Sequence, residues 1–193
     1  AFRAFGEGRE EREGKEGKSL IFWIFAGLSV PAAAWWGLAA GWQETGAGML
    51  WRFPAAALAV LAGLLMAFAV VTAVSAAVVD TKKPCETVSP YYRWLTDQIM
   101  GLCVILGRIR ITATGMERVP KGKRYLLVCN HLNDLDPVPI LRVFRRQELT
   151  FISKKENERL PVVGPVMHKL MCLSIDREND RAALRTILKA VSY

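Results

Sequence analysis

The sequence predicts an α/β layered domain that is preceded by a two-helix transmembrane hairpin. Two long apolar runs, at residues 20–42 and 53–79, occupy the first half of the 193-residue chain. Each run exceeds the ~20 residues that a helix needs to cross a bilayer, and neither has the polar face of a soluble core helix. From residue 108 onward, short strand patterns alternate with helix patterns, which is typical of layered α/β domains.

Composition divides the chain into four segments. Residues 1–19 are mostly Gly, Glu, Arg and Lys, which predicts a disordered tail. Residues 20–79 form the hairpin anchor; a signal peptide is the alternative for the first run, and the second run favours the anchor. Residues 80–107 hold a linker and an amphipathic helix, which packs on the domain or lies on the membrane interface. We expect residues 108–193 to be the N-terminal part of the α/β domain.

The basic residues around the hairpin predict its orientation. Lys15 and Lys18 precede the first run, and Lys82 and Lys83 follow the second, whereas the loop 43–52 carries one acid and one base. Because cytoplasmic loops are enriched in Lys and Arg, both ends of the hairpin are expected in the cytoplasm. The sequence therefore predicts a multi-pass protein of the cell membrane with its α/β domain on the cytoplasmic side.

Net charge and cysteine usage limit the partners. A net charge of +8 beside membrane segments favours anionic phospholipid surfaces and phosphate-bearing substrates. No nucleic-acid-binding module accompanies that charge, so no nucleic-acid partner is expected. The four cysteines have no Cys-x-x-Cys spacing and the two histidines are far apart, so we expect neither a disulfide framework nor a metal site. The cysteines are expected to be buried free thiols.

Periodicity and turn residues give the elements of the second half. Strands are predicted where short runs are apolar or β-branched, and helices where apolar residues recur every three or four positions. Asn179 or Asp180 is expected to cap the last helix. The predicted strands are 108–114, 124–129, 149–153 and 171–175, and the predicted helices are 137–144, a short helix within 161–169, and 181–191.

A histidine and an aspartate lie on the predicted turn between strand 124–129 and helix 137–144. His131 and Asp136 have four residues between them. A neutral imidazole can take a proton from a hydroxyl, and a carboxylate on its other nitrogen fixes the tautomer and stabilises the imidazolium. The alternative is a loop histidine beside an aspartate that caps the helix. Spacing alone does not choose between them.

Several motifs together resemble the glycerolipid acyltransferases of the 1-acylglycerol-3-phosphate acyltransferase type. The first is Asn130-His131 followed by Asp136-Pro137; the second block comprises Phe151 to Glu156, Leu160 to Gly164, and Ile175-Asp176-Arg177. The resemblance covers roughly the last half of the chain. Asn133 stands where members often have serine, Met171 stands where many have glycine, and the third motif, a Pro-Glu-Gly-Thr-Arg-like turn, is absent.

The resemblance implies acyl transfer from a thioester to the free hydroxyl of 1-acylglycerol-3-phosphate, which gives phosphatidic acid in phospholipid biosynthesis. His131 is then the general base and Asp136 its orienting partner. Arg177 is the first candidate to bind the acceptor phosphate and Lys154 the second. The resemblance implies no cofactor, and it implies acyl-CoA or acyl carrier protein as the thioester co-substrate.

Other functions remain open on the sequence. The acceptor is alternatively another lysophospholipid or glycerol-3-phosphate. A different class is an inactive fragment that only binds anionic lipid, and a third is a hydrolase in which the same His-Asp pair activates water. The products distinguish them, since a scaffold gives no acyl product and a hydrolase releases free fatty acid.

Overall fold

The computed structural model describes residues 19–40, 47–120, 122–130, 135–176 and 178–192. The described chain divides into two compact units. One unit contains Ser19 and Asp97–Leu149, and the other contains Leu20–Thr96 and Thr150–Tyr193. The predicted disordered tail falls on residues 1–18, which lie outside the described residues, and on Ser19.

Two long apolar helices begin the second unit. Helix α1 is Leu20–Ala39 and helix α2 is Ala47–Ala77. They pack side by side, with the rings of Phe25 and Phe68 edge to face at 6.5 Å between centroids. Small residues such as Ala33 and Ala56 are buried, whereas large apolar residues such as Leu58 are exposed. By length and composition, α1 and the part of α2 from Trp51 to Ala77 suffice to cross a membrane.

The start of helix α3, Pro90–Leu106, is tied to the end of α2. The Tyr92 hydroxyl donates to the backbone oxygen of Ser75 at 2.7 Å, and the Ser75 and Tyr91 hydroxyls lie 2.7 Å apart. Burial raises the pKa of Tyr92, and the neighbouring Tyr91 raises it further. Both tyrosines therefore hold the last turns of the long apolar helix against the beginning of α3.

The linker between α2 and α3 binds the C-terminal end of helix α5, Val163–Lys169. The Ser89 amide donates to the Lys169 carbonyl at 3.0 Å, which satisfies one of the carbonyls that a helix end leaves unpaired. The His168 Nε2 atom lies 2.9 Å from the Lys83 carbonyl and donates to it as the Nε2–H tautomer. His168 thus has a structural contact in the last turn of α5.

Helix α5 ends in a Schellman motif with a methionine at the left-handed position. The Cys172 amide donates to the Met167 carbonyl at 2.9 Å and the Met171 amide donates to the His168 carbonyl at 3.1 Å. Met171 has a φ of 57°, where glycine has no steric penalty. This is the position at which the resembling family often has glycine. The departure at Met171 therefore carries a backbone cost.

The two strands of a short parallel sheet precede and follow α5 in the sequence. Strand β1, Ile152–Lys154, pairs with strand β2, Leu173–Ile175, and the Cα partners are Ile152 with Leu173 and Lys154 with Ile175. Gly164, early in α5, packs so closely on the chain entering the helix that a Cβ would collide with the Glu158 carbonyl oxygen.

Helix α6, Asp180–Ser192, covers β2. The Thr186 hydroxyl donates to the Ser174 carbonyl at 3.2 Å. The Asn179 side chain accepts the Ala182 amide at 3.1 Å, so Asn179 caps the helix as predicted.

Two predicted strands are absent. Residues 108–114 and the described residues 124–129 have no strand pairing, and Leu126 and Val128 are 76% and 80% exposed. The prediction of a buried strand over 124–129 is wrong for this structure, because a strand needs a partner as well as an apolar run. Within the described residues the chain is mainly helical with one two-stranded sheet. The layered α/β architecture is not confirmed.

Replacing Met171 tests the end of α5. Met171→Gly should be more stable than Met171→Ala by about 1 kcal/mol, because both lose the same contacts and only alanine keeps the left-handed penalty. The free energies of unfolding would be compared in detergent. At the neighbouring buried Leu170, whose φ is −93°, the order should reverse, with glycine the less stable. The same order at both positions would contradict the assigned Schellman motif.

Candidate functional site

The four predicted site residues are distributed over both units. His131 and Asp136 belong to the unit that contains Asp97–Leu149, and Lys154 and Arg177 to the other. His131 and Arg177 lie outside the described residues, as do Asn133 and Asp134. The structure describes Asp136 and Lys154, and the geometry below concerns these two residues and their surroundings.

Asp136 lies directly before helix α4, Pro137–Val143, as its N-cap residue. Pro137 takes the first helical position, where its fixed φ suits a helix and its missing N–H removes no intrahelical bond. The Asp136 backbone is already helical, with φ −57° and ψ −31°, and its side chain makes no capping hydrogen bond. The structural alternative for Asp136, a helix-capping aspartate, is therefore not realised in this geometry.

Helix α4 is held by two side chains one turn apart. Val138 and Arg142 are its buried residues, at 5% and 6% exposure, and they share one face of the helix. The Arg142 Nη1 atom lies 2.5 Å from Asp97 Oδ1 and 3.1 Å from the Asp97 backbone oxygen. The Arg142 side chain is almost fully enclosed and the Asp97 side chain is 30% exposed, so removing one partner costs less than the ~3–5 kcal/mol of a fully buried pair.

A second contact closes the segment that carries the His-Asp turn. The Tyr125 hydroxyl donates to the side-chain oxygen of Gln147, which follows α4. Tyr125 precedes the turn, so residues on both sides of it are joined. The chain between Tyr125 and Gln147 is thereby held at its ends and, through Arg142, on α4.

The edge of the short sheet brings together residues that are distant in sequence. Lys154 ends β1 opposite Ile175, which ends β2. Since the strands are parallel, the segments after both strands leave from the same edge. Asp176 and Arg177 follow Ile175 directly. Lys154 and the backbone that leads to Arg177 are therefore neighbours, as the sequence predicted for the strand ends.

Lys155 and Asp176 form an ion pair at this edge. The Lys155 Nζ lies 3.2 Å from Asp176 Oδ2, and the Glu178 amide donates to Asp176 Oδ1 at 3.1 Å. The Glu178 N–H and then the Lys155 ammonium hold the pKa of Asp176 below its ordinary value. Within the described residues, the exposed Lys154 side chain has no such partner. The two adjacent lysines thus differ in role.

The second half of the chain is similar to known proteins. Residues 110–192 match the family model described as Acyltransferase. The resemblance to the acyltransferase family is confirmed. The matched residues, here called the acyltransferase segment, include all four predicted site residues.

A named protein is similar to part of this chain. A protein of Mycoplasma pneumoniae (strain ATCC 29342 / M129 / Subtype 1), named "Probable 1-acyl-sn-glycerol-3-phosphate acyltransferase", is 32% identical over 88 residues. The alignment covers 44% of this chain and 32% of the relative, so the chain spans about a third of the length of the relative. No solved structure matches this chain.

The thiols of the acyltransferase segment differ in exposure. Cys129 is exposed, so the prediction of buried cysteines is wrong there, and Cys85, Cys103 and Cys172 are half-buried. Burial raises the pKa of the Cys172 thiol, and the thiolate is the nucleophilic form of cysteine. Cys172 therefore has the character of a structural thiol.

Sequence reasoning missed the ion pair between Asp97 and Arg142. The two residues are separated by 45 positions. The available signal was an arginine four residues after Val138, on the apolar face of a short helix. A charge on such a face needs a partner. Its identity could not be read from the local pattern.

Titration of Asp176 tests the ion pair at the sheet edge. Because the folded pKa is lowered, the carboxylate stabilises the fold above its unfolded pKa, and this contribution is lost as the pH falls through the folded pKa. Lys155→Met should raise the Asp176 pKa, measured by carbon NMR, but not to its ordinary value, because the Glu178 N–H remains. Lys154→Met is the matched control and should cause the smaller change. An equal pKa in the Lys155→Met variant and the parent would exclude the ion pair in solution.

Proposed function

We propose that this chain is part of a membrane-bound acyltransferase that moves a fatty acyl chain from a thioester to the free hydroxyl of 1-acylglycerol-3-phosphate. The observation that carries the proposal is the combination of the His-Asp turn and the second motif block inside the segment that matches the acyltransferases. The name of the Mycoplasma relative supports 1-acylglycerol-3-phosphate as the proposed acceptor. Another lysophospholipid or glycerol-3-phosphate is the alternative acceptor.

In the proposed reaction, the acceptor hydroxyl attacks the thioester directly. His131 takes the hydroxyl proton as the new C–O bond forms, and Asp136 stabilises the resulting imidazolium. The carbon–sulfur bond then breaks, and the imidazolium gives the proton to the departing thiolate, which leaves as a thiol. The Asp136 carboxylate makes no capping bond to the α4 amides, which is compatible with this role. No cofactor enters the scheme.

Variants of the His-Asp pair test the mechanism in the full-length protein. His131→Ala should lower the rate by ~10²–10⁴, the usual contribution of a general base, while membrane insertion and folding are kept. Asp136→Asn should also be severely slow, because an amide cannot stabilise an imidazolium. The double variant should be hardly slower than His131→Ala, since the carboxylate acts through the imidazole. The assay is transfer of a labelled acyl chain to lysophosphatidic acid.

The matched control is Asp134→Asn, which should be mild because Asp134 is assigned to the turn. Near-parental turnover by folded His131→Ala would refute the mechanism, and multiplicative losses in the double variant would refute the pairing. Free fatty acid as the main product would identify a hydrolase. A folded parent that binds anionic vesicles and forms no acyl product would identify a lipid-binding scaffold.

The acceptor phosphate is proposed to bind at the sheet edge through Arg177 and Lys154. The planar guanidinium of Arg177 suits two phosphate oxygens, and Lys154 supplies a point charge. Two observations support this assignment. Lys154 lies opposite Ile175, close to the backbone that leads to Arg177. Both oxygens of Asp176 already have the partners Lys155 and Glu178, which disfavours a simple Asp176–Arg177 surface pair.

Loss of Arg177 should mainly impair the use of a phosphorylated acceptor. Arg177→Ala should lower kcat/KM for lysophosphatidic acid by about 2–3 kcal/mol of transition-state stabilisation, and Arg177→Lys should restore only part because the fork is lost. Lys154→Met should have a smaller effect in the same direction. A lysophospholipid with a different head group and glycerol-3-phosphate are the comparison acceptors. Unchanged kcat/KM in both Arg177 variants would make Arg177 structural.

The membrane role is proposed from helices α1 and α2. Most of their large apolar side chains are exposed or half-buried, as lipid-facing residues would be, and the buried positions other than Ile21 are Ala, Ser or Thr, as in packed membrane helices. With lysines outside both ends, the hairpin should leave the acyltransferase segment in the cytoplasm, in contact with membrane phospholipids. Acyl-CoA or acyl carrier protein, the proposed donors, are available on that side.

The position of a reporter tests the orientation. A reporter fused after Lys83 should behave as cytoplasmic, because the positive charges of Lys82 and Lys83 retain that end of α2. A second reporter within the loop 43–52 should behave as external. Two cytoplasmic reporters would exclude the hairpin, and an external reporter after Lys83 would reverse the orientation.

A further inference from the structure

We propose that the ion pair between Asp97 and the buried Arg142 is a positioning device for Asp136, the member of the His-Asp pair that the structure describes. Arg142 fixes helix α4, and α4 in turn places Asp136, which lies at its N-terminus. The inference rests on the proposed function, because it assigns Asp136 a role in the reaction. Arg142 itself does not touch the reacting atoms.

Apart from Arg142, the side chains of helix α4 are apolar, and those other than Val138 are half-buried. The helix has seven residues, and Val138 and Arg142 are its buried side chains. Val138 makes an apolar contact, which has no preferred direction. Arg142 places one nitrogen against both the carboxylate and the backbone oxygen of Asp97. Since a hydrogen bond depends on direction as well as distance, this double contact restricts rotation of α4 about its axis.

Asp136 depends on the helix for its own placement. Its carboxylate makes no capping bond to the α4 amides, so those amides do not fix the direction of the side chain. Its backbone is continuous with the helix in conformation. Arg142 lies six residues further along, about 9 Å at 1.5 Å per residue. A rotation or shift of α4 at Arg142 therefore moves Asp136 as part of the same rigid element.

The chemistry of the pair favours orientation over simple stability. The Arg142 Nη2 atom is buried and has no hydrogen-bond partner among the described residues. Such an atom keeps a desolvation cost that an apolar side chain would avoid, and replacing a buried ion pair by apolar residues is often neutral or stabilising. An apolar side chain at position 142 would serve a purely stabilising role as well or better. The charged guanidinium group of Arg142 adds a contact of fixed direction to Asp97.

Kinetics of four variants in the full-length protein test the proposal. Arg142→Met, the nearly isosteric Asp97→Asn and the double variant would be compared with Arg146→Met, which removes an exposed arginine just after the helix. Each rate is divided by the concentration of folded enzyme. We expect each single change to lower kcat about 10- to 100-fold, as a displacement near 1 Å can, with KM for the thioester changed less than about twofold. Arg146→Met should match the parent.

The double variant separates positioning through one pair from two independent effects. Its kcat should be no lower than that of the slower single variant, because both changes break the same contact. Multiplied losses would overturn the proposal. The proposal would also be overturned if folded Arg142→Met and Asp97→Asn kept the parental kcat and differed only in a lower melting temperature. The pair would then serve stability alone. If Arg142→Met does not fold, Asp97→Asn decides by the same criterion.

The parent and His131→Ala distinguish this result from failure of the proposed function. Transfer by the parent that is lost in His131→Ala leaves the function standing, and the Asp97 and Arg142 variants then judge the positioning alone. A parent that transfers no acyl chain, or a folded His131→Ala variant that transfers at the parental rate, overturns both.

Discussion

The C-terminal turn of helix α5 is the structural constraint on which the larger unit depends. Three backbone amides donate hydrogen bonds to its last carbonyls: that of Ser89 in the linker, and those of Met171 and Cys172 in the turn that leads into β2. The first of these contacts ties the connection after the long apolar helix α2 to the acyltransferase segment. The other two direct the chain from α5 into the strand that ends at Ile175. A helix end that would otherwise expose unpaired carbonyls thereby joins the segment after the long apolar helices to the sheet.

In the smaller unit the equivalent constraint is electrostatic. Helix α4 is too short to be stable alone, because isolated helices below about 12–15 residues are marginal in water. Pro137 starts it, Val138 and Arg142 attach it, and Asp97 supplies the counter-charge. The residue with proposed chemistry, Asp136, directly precedes this helix and makes no side-chain capping bond to it. The charged contact that attaches the helix, at Arg142, thus lies near the opposite end from the residue with proposed chemistry.

Sequence patterns located the elements whose signals are local. Helices α4, α5 and α6 and strands β1 and β2 lie within a few residues of their predicted positions, because Pro137, Asn179 and the apolar periodicity mark them. The runs 108–114 and 124–129 do not form strands, because strand formation depends on a partner that the run itself does not specify. Tertiary pairs were also beyond reach: nothing near Arg142 in sequence points to Asp97. For the site, the sequence predicted where Asp136 and Lys154 lie on their elements, and the roles of His131 and Arg177 stay predictions.

The adjacent lysines at the end of β1 show how a strand register gives two identical side chains different roles. The resemblance named Lys154, after Arg177, as a candidate to bind the acceptor phosphate, and the adjacent Lys155 carries the same charge. The parallel register sets Lys154 opposite Ile175, and the chain beyond the strands brings Lys155 to Asp176. Lys155 is then neutralised by a carboxylate, whereas Lys154 keeps its charge at the same edge. Because a phosphate is attracted by net local charge, the lysine that lacks a carboxylate partner within the described chain is the better candidate ligand. The ion pair of Lys155 with Asp176 therefore agrees with the proposal that Lys154, and not Lys155, contributes to binding of the acceptor phosphate.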